Sequence, residues 1–368
     1  MPAVVNVAAI QKLNSADTGE KGLNSDLSDK QSDKRKSLEE LLRRFLESQG
    51  RKARPEPKVT TVALGSGFII DPRGYVVTDD HVVENAEKVT IVLQDAAEYP
   101  ARVVGRDPLT DLALLKIDAG HPLSYVRWGD SDSTQIGDWV LAIGNPFGLD
   151  NTVSSGIISG RGRDIHSGPY DDYLQIDAAI NRGNSGGPTF DLHGNVIGVN
   201  TAIYSPNGGS VGIGFAIPAN RAKPVLEQLR DRGKVTRGWL GLQIQPVTPQ
   251  LVQALGLPGT SGALVSRVGA GSPAAVAGFQ TGDVILSING RKIRRMRELP
   301  RTVAEMPIGQ RAAVTIWRGN AASTLQPVIS EMPANPEVAE LPAGENYGGR
   351  PERRTAAPSL MLDMSSAI

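Results

Sequence analysis

The sequence predicts a mainly β protein built from barrels, followed by a smaller second domain of mixed α/β character. Glycine is abundant at 41 residues, aromatics make up only 5%, and short Val/Ile runs are punctuated by turn residues. That pattern fits all-β barrels. At 368 residues the chain has room for two or three domains.

Composition narrows the function classes. The 39 basic side chains balance 39 acidic ones, so there is no bulk electrostatic case for nucleic acid or anionic lipid as a partner. The absence of cysteine suits an exported protein without disulfides, and says little for a cytosolic one. No run of about 18 apolar residues is present to span a bilayer. Neither a Cys or His cluster nor a phosphate-loop pattern occurs, so no metal and no cofactor is expected.

The elements follow in order. Met1-Pro2-Ala3-Val4-Val5-Asn6-Val7 starts directly into a strand-like segment with no basic and apolar leader. Residues 11–36 are dense in Ser, Asp, Lys, Gly and Asn, and a mobile loop is expected across 11–58. Within it, Ser37-Leu38-Glu39-Glu40 reads as a capping box. Leu38, Leu41, Leu42, Phe45 and Leu46 then line one helical face, ended by Gly50. Gly74-Tyr75-Val76-Val77-Thr78 is strand-like and leads into a short helical turn at His81. Leu112–Ile117 is a strongly apolar strand, and Asp191–Asn195 a hairpin turn.

After a helix-like segment ending near Arg232-Gly233, the second domain opens at Gly238-Trp239-Leu240-Gly241-Leu242. Ser272-Pro273-Ala274-Ala275-Val276-Ala277-Gly278 is a compact helix with Ser at its cap, Pro first and Gly as its stop. Gly282–Ile288 is a strand running into an Asn289-Gly290 turn. Residues 331–358 have linker composition, and Leu360-Met361-Leu362 is too short to fold.

The chemistry centres on Gly183-Asn184-Ser185-Gly186-Gly187-Pro188. A serine between glycines stands clear of its turn, and glycine allows consecutive N–H groups to aim at one point, where an acyl-transfer oxyanion would sit. An ordinary Gly-rich turn is the competing explanation. Of four histidines, His121, His166 and His193 lie in loop signatures, whereas His81 follows a strand. A general base belongs on such a rigid edge. Asp111, at the start of an apolar strand, is the candidate orienting acid, with Asp107 as its rival.

Gly65–Ile70, Gly74–Val83, Asp107–Leu114 and Gly183–Pro188 together resemble the four core blocks of the HtrA/DegP family. These are chymotrypsin-like serine endoproteases carrying PDZ domains, and the blocks run in register over most of residues 2–330. The resemblance implies a chymotrypsin-like double β-barrel protease domain over 1–235, a PDZ domain over 236–330 and over 331–368 a Pro-rich tail, either linker or truncated second PDZ. It makes Ser185 the nucleophile, His81 the base and Asp111 the orienting acid. Gly183, Asn184 and Ser185 form the oxyanion-hole segment, with N–H groups from Gly183 and Ser185.

By the same resemblance Ile180, Ile203 and Tyr204 line a specificity pocket suited to Val, Ala or Ile. Trp239, Leu240, Gly241 and Leu242 would hold a peptide's C-terminal carboxylate, with Leu242-Gln243-Ile244 pairing by strand addition. Gly144–Leu149 resembles an activation-linked loop. The 37–54 insert either contacts a neighbouring subunit or packs on its own barrel. The function implied is ATP-independent degradation of misfolded proteins in the bacterial periplasm by a homotrimer or larger homo-oligomer. A signal peptide and arm would precede this chain, the alternative being cytoplasmic residence. The competing function is a non-catalytic chaperone or scaffold using the same surfaces. Two departures stand out: Asp79-Asp80 where the family usually has Asn-Asn, and Arg182 where Pro is common. Two acids before His81 would raise the pKa of the base.

Overall fold

The computed structural model describes residues 2–12, 60–144, 152–206 and 208–333. The predicted helix at 37–50, most of the 144–149 loop and the tail beyond residue 333 lie outside these residues, while Glu331, assigned to the tail from sequence, pairs with Gly238. Gln11 and Lys12, assigned to the loop from sequence, instead continue the first strand and pair with Thr61 and Thr60.

Six strands close the first barrel: β1 (Val4–Lys12), β2 (Thr60–Asp71), β3 (Tyr75–Thr78), β4 (Ala86–Val92), β5 (Glu98–Asp107) and β6 (Leu112–Lys116). Their order is β1-β2-β3-β6-β5-β4, and a single helical turn, α1 (Asp80–Val83), leaves the end of β3. Several of these strands are apolar on both faces because each face has a core to fill. On β6, Ala113 and Leu115 join Val5, Val7, Ile69 and Val76 in one cluster. Leu112 and Leu114 point the other way, into a cluster shared with Ile143, Phe190, Val199 and Phe215 of the second barrel. The period-2 alternation of one strand thus welds the two barrels together.

The second barrel uses β7 (Arg127–Trp128), β8 (Trp139–Gly144), β9 (Thr152–Arg163), β10 (Tyr173–Ile176), β11 (Pro188–Phe190), β12 (Asn195–Ile203) and β13 (Gly214–Pro218). The order β11-β8-β9-β10-β13-β12 closes through the β11–β12 hairpin, and β7 adds parallel to β12. Helix α2 (Ala219–Arg232) follows, stopped by Gly233 at φ 71°. It seats Ala222, Val225, Leu226 and Leu229 in the shared cluster, the one-sided spacing of an amphipathic helix.

The C-terminal unit contains β14 (Gly238–Trp239), β15 (Leu242–Pro246), α3 (Pro249–Ala254), β16 (Ala263–Val268), α4 (Pro273–Val276), β17 (Val284–Ile288), β18 (Arg291–Lys292), α5 (Glu298–Ala304), β19 (Val314–Arg318), β20 (Ala321–Leu325) and β21 (Ser330–Glu331). Its main sheet has the order β15-β16-β17-β19-β20. The capped helix forms as expected, with the Ser272 hydroxyl accepting from the Ala275 N–H at 3.1 Å. The Asn289-Gly290 turn also forms, both residues at positive φ, 48° and 78°, between the paired Ile288 and Arg291.

Ion pairs join this unit to the barrels. Arg237, just before β14, grips Asp107 with both guanidinium nitrogens at 2.9 and 2.5 Å, and stacks over Tyr170 at 4.8 Å. From α5 and the turn before it, Arg301 reaches Asp172 at 2.6 Å and Arg297 pairs with Asp164. A cavity of about 580 Å3 opens at this junction, lined in part by Tyr170, Tyr173, Arg221, Arg237 and Met306.

Candidate active site at the barrel interface

The 183–188 segment is a turn held from both barrels. Ser66 of β2 donates its N–H to the Ser185 carbonyl at 2.8 Å and its hydroxyl to the Gly183 carbonyl at 2.5 Å. On the other side, the Gly186 N–H donates to the Asn200 carbonyl and the Asn200 N–H to the Gly187 carbonyl, both at 2.8 Å. Gly183 and Gly186 adopt φ of 97° and 84°, the left-handed region that glycine enters freely. A Cβ at Gly186 would collide with the Ser66 carbonyl and the Thr78 hydroxyl, so this close approach of backbones requires glycine.

The turn directs its donors unevenly. The Asn184 N–H, between the two expected donors, is committed to the Asn181 carbonyl at 3.1 Å. Its side chain is buried, and the amide oxygen has no hydrogen bond. Among the described residues, no hydrogen bond engages the N–H of Gly183 or of Ser185. Two neighbouring donors are therefore left available to an anionic oxygen.

His81 sits in α1, where the chain leaves the buried β3, and its ring is half exposed to the inter-barrel cleft at 48%. Asp111 opens β6 at φ 55°, a left-handed conformation that Asp tolerates better than most residues. This turn brings the Asp111 carboxylate to His81 Nδ1 at 2.8 and 3.0 Å, and it also accepts from the His81 backbone N–H at 3.0 Å. The Thr201 hydroxyl of β12 donates to the same carboxylate at 2.5 Å. Asp107, the rival acid, is paired instead with Arg237.

Ser185 Oγ donates to the Thr201 carbonyl at 3.3 Å. No hydrogen bond between Ser185 and His81 is formed among the described residues. The base is thus oriented by its carboxylate while the hydroxyl occupies a different rotamer. Burial opposes the charge on His81, but the hydrogen bond to Asp111 and the charges of Asp79, Asp111 and Asp80 outweigh it, raising its pKa to about 9.

Ile180 and Ile203 belong to one apolar cluster with Ile158, Ile176 and Ile197, whereas Tyr204 packs with the cluster shared between barrels. In the C-terminal unit, β15 lies at the edge of its sheet, with one side open. The carbonyls of Leu240 and Gly241 accept from Ala274 and Gly269 at 3.0 and 2.9 Å, and Gly241 holds φ at 77°. Among the described residues, the N–H groups of Leu240 and Gly241 remain without partners.

Two groups escaped the sequence reading, Ser66 and Thr201, and the two acids at 79 and 80 were singled out there but not told apart. Ser66 lies inside the Gly65-Ser66-Gly67 block, whose glycines hinted at close packing, but nothing in sequence connects Thr201 to Asp111, 90 positions away. Asp79, His81 and Asp111 offer ligand atoms within 4.8 Å of one another, the sole such group of His and carboxylates among the described residues. Within this group, Asp111 is satisfied by His81 and Thr201.

Two barrels meeting over a serine, a histidine and an aspartate, followed by an edge-strand α/β unit, define the class of a trypsin-like peptidase with an appended C-terminal domain. Residues 65–199 match the family of trypsin-like peptidase domains, and residues 238–327 match PDZ domains. The chain is 51% identical over 306 residues, 83% of its length, to a "Probable periplasmic serine endoprotease DegP-like" of Brucella suis biovar 1 (strain 1330). A protein of the same description from Rhizobium meliloti (strain 1021) is 48% identical over 315 residues, 86% of the chain. The chain spans only 60% and 62% of those relatives' own length. Among solved structures, "HtrA-type protease AlgW with tripeptide" superposes with a TM-score of 0.73 at 37% identity, covering 90% of this chain and 94% of that one. The chain belongs to the HtrA/DegP family.

Proposed function

We propose that this chain is an ATP-independent serine endopeptidase that degrades misfolded or unfolded proteins in the periplasm, with residues 1–235 catalytic and 236–330 reading C-terminal peptides. The observation that carries the reading is the His81–Asp111 contact at 2.8 Å, set opposite Ser185 on a turn whose Gly183 and Ser185 N–H groups are unspent.

In this mechanism, Ser185 swings from the Thr201 carbonyl to His81 Nε2 when a substrate carbonyl enters. Staggered side-chain rotamers interconvert without moving the backbone. His81 takes the hydroxyl proton as Oγ attacks, and Asp111 stabilises the imidazolium and fixes the tautomer with Nδ1–H facing the carboxylate. The developing oxyanion is met by the Gly183 and Ser185 N–H groups. His81 then delivers its proton to the departing amine. A pocket lined by Ile180, Ile203 and Tyr204 favours small aliphatic residues, and discriminates among them by only about 1–3 kcal/mol per methylene. The open edge of β15 takes a peptide strand, with its terminal carboxylate on the Leu240 and Gly241 N–H groups. Assembly as a homotrimer or larger homo-oligomer and periplasmic residence are proposed with the family.

Purified protein is expected to degrade unfolded casein and Ser185→Ala to abolish it while keeping client binding. Equal cleavage by Ser185→Ala would defeat the assignment. A second reading, a chaperone or scaffold, is favoured by the Ser185–Thr201 hydrogen bond, which leaves the nucleophile disengaged. Suppressed client aggregation with no cleavage by either protein would select it.

A further inference from the structure

Asp79 shares the His81–Asp111 cluster, and the mechanism does not use it. It is fully buried at 0% exposure, directly before α1, and Oδ2 lies 4.0 Å from His81 Nδ1. Neither carboxylate oxygen has a hydrogen-bond partner. The nearby donors are spent elsewhere: the Gly186 N–H on the Asn200 carbonyl and the Thr201 hydroxyl on Asp111. Asp80 differs completely, since Arg106 neutralises it at 2.6 and 3.0 Å. Of the two acids preceding His81, only Asp79 therefore presents an uncompensated group to the base.

A buried carboxylate without donors is costly unless it is protonated or faces a cation. Burial and the adjacent Asp111 charge push the Asp79 pKa well up, while His81, the Gly186 N–H and Thr201 pull the other way. Across the second barrel, the Tyr173 phenol also faces the charges of Asp79 and Asp111, although burial dominates its own upward shift. It is tied to Ser167, which is tied in turn to Asp171. Among the described residues, His81 is thus the cation placed to relieve an ionised Asp79, and only when it carries its second proton.

We propose that Asp79 is a positioning residue that competes with His81 for a single proton. With the proton on Asp79, the imidazole is a free base and attack by Ser185 can begin. With the proton on His81 Nε2, the site is a resting array of two carboxylates around an imidazolium. Both states hold the same number of protons: one carboxyl O–H is lost as one Nε2–H is gained, exchanged through solvent at the exposed face of the ring. This inference rests on His81 being the general base.

The test compares the pH dependence of kcat/KM for the parent and Asp79→Asn, which keeps shape but cannot ionise. An opposite charge at this range shifts a pKa by roughly 1–3 units, and the half-exposed ring favours the low end. The acid limb of Asp79→Asn is expected to move down by about one pH unit, a roughly tenfold gain in kcat/KM at the foot of the limb. A limb that stays in place overturns the proposal, whether or not the plateau falls. The imidazole titration of His81 by NMR in the Ser185→Ala protein, with and without Asp79→Asn, reads the same shift without turnover. It remains informative even if the chain proves not to be a protease. Should Asp79→Asn fail to fold, the Ser185→Ala protein alone decides: His81 is expected to titrate well above the ordinary value in a coupled step. A single step near about 6.5 contradicts the proposal.

Discussion

Gly186→Ala is the sharpest test of how the turn is built, because it adds one methyl group and removes no functional atom. At φ 84° an alanine pays about 1–2 kcal/mol for the left-handed conformation. Its Cβ also meets the Ser66 carbonyl, the Thr78 hydroxyl and the Asp79 nitrogen, the last at 2.9 Å. Restoring ordinary contact requires the turn to retreat by about 1 Å. That movement strains the Gly186–Asn200 and Ser66–Ser185 hydrogen bonds, each 2.8 Å, with a further cost of about 1 kcal/mol. A total of about 2–3 kcal/mol is expected as a lowered urea midpoint. The kinetic effect is larger, since a displacement of this size at a nucleophile costs about 100-fold in rate. Initial rates on a fluorogenic peptide, with circular dichroism for folding, separate the two. A folded Gly186→Ala enzyme with kcat/KM within about threefold of the parent would refute the argument that this contact positions Ser185.

Removing Arg237 leaves Asp107 buried and unpaired, and Arg237→Ala is expected to cost about 3–5 kcal/mol by denaturant unfolding; a change below about 1 kcal/mol would contradict the buried pairing. Because His81 must be neutral to act, kcat/KM should climb as pH rises toward about 9, and an acid limb at an ordinary histidine value would contradict this. Stability should move oppositely: the raised His81 pKa contributes fully below the unfolded value near about 6.5 and is lost as pH rises through the folded one, so Tm falls over that window. In the C-terminal unit, Gly241→Ala forces a side chain onto φ 77° and into Ser272; peptides with a free apolar C-terminus should bind roughly tenfold more weakly by fluorescence anisotropy. Equal binding of the same peptide with an amidated C-terminus would argue against carboxylate recognition.

Much of the fold was legible because local patterns and tertiary needs agree. Leu112–Leu115 reads as an uninterrupted apolar run, and it is buried on both faces between two clusters. Asn289-Gly290 and Ser272-Pro273 carry their turn and cap chemistry in the residues themselves. Ser185, His81 and Asp111 stood out for the same reason, since each occupies a punctuated strand end. What remained hidden depends on chain crossings. Thr201 reaches Asp111 from the other barrel, and Asp107 could be separated from Asp111 only once Arg237 was seen to claim it. The two acids at 79 and 80 look equivalent in sequence, yet one is paired with Arg106 and the other is sealed beside the base. Sequence alone also gave no hint that Ile180 and Ile203 share one apolar cluster while Tyr204 packs against another.

The central claim is that Ser185 becomes a nucleophile when His81 and Asp111 act on it. Incubation with a serine-reactive fluorophosphonate, followed by peptide mapping in a mass spectrometer, measures this directly. The account predicts one adduct per chain, on Ser185, lost in His81→Ala protein that remains folded. Casein cleavage by a protein whose Ser185 stays unlabelled, or labelling that survives His81→Ala undiminished, would contradict it.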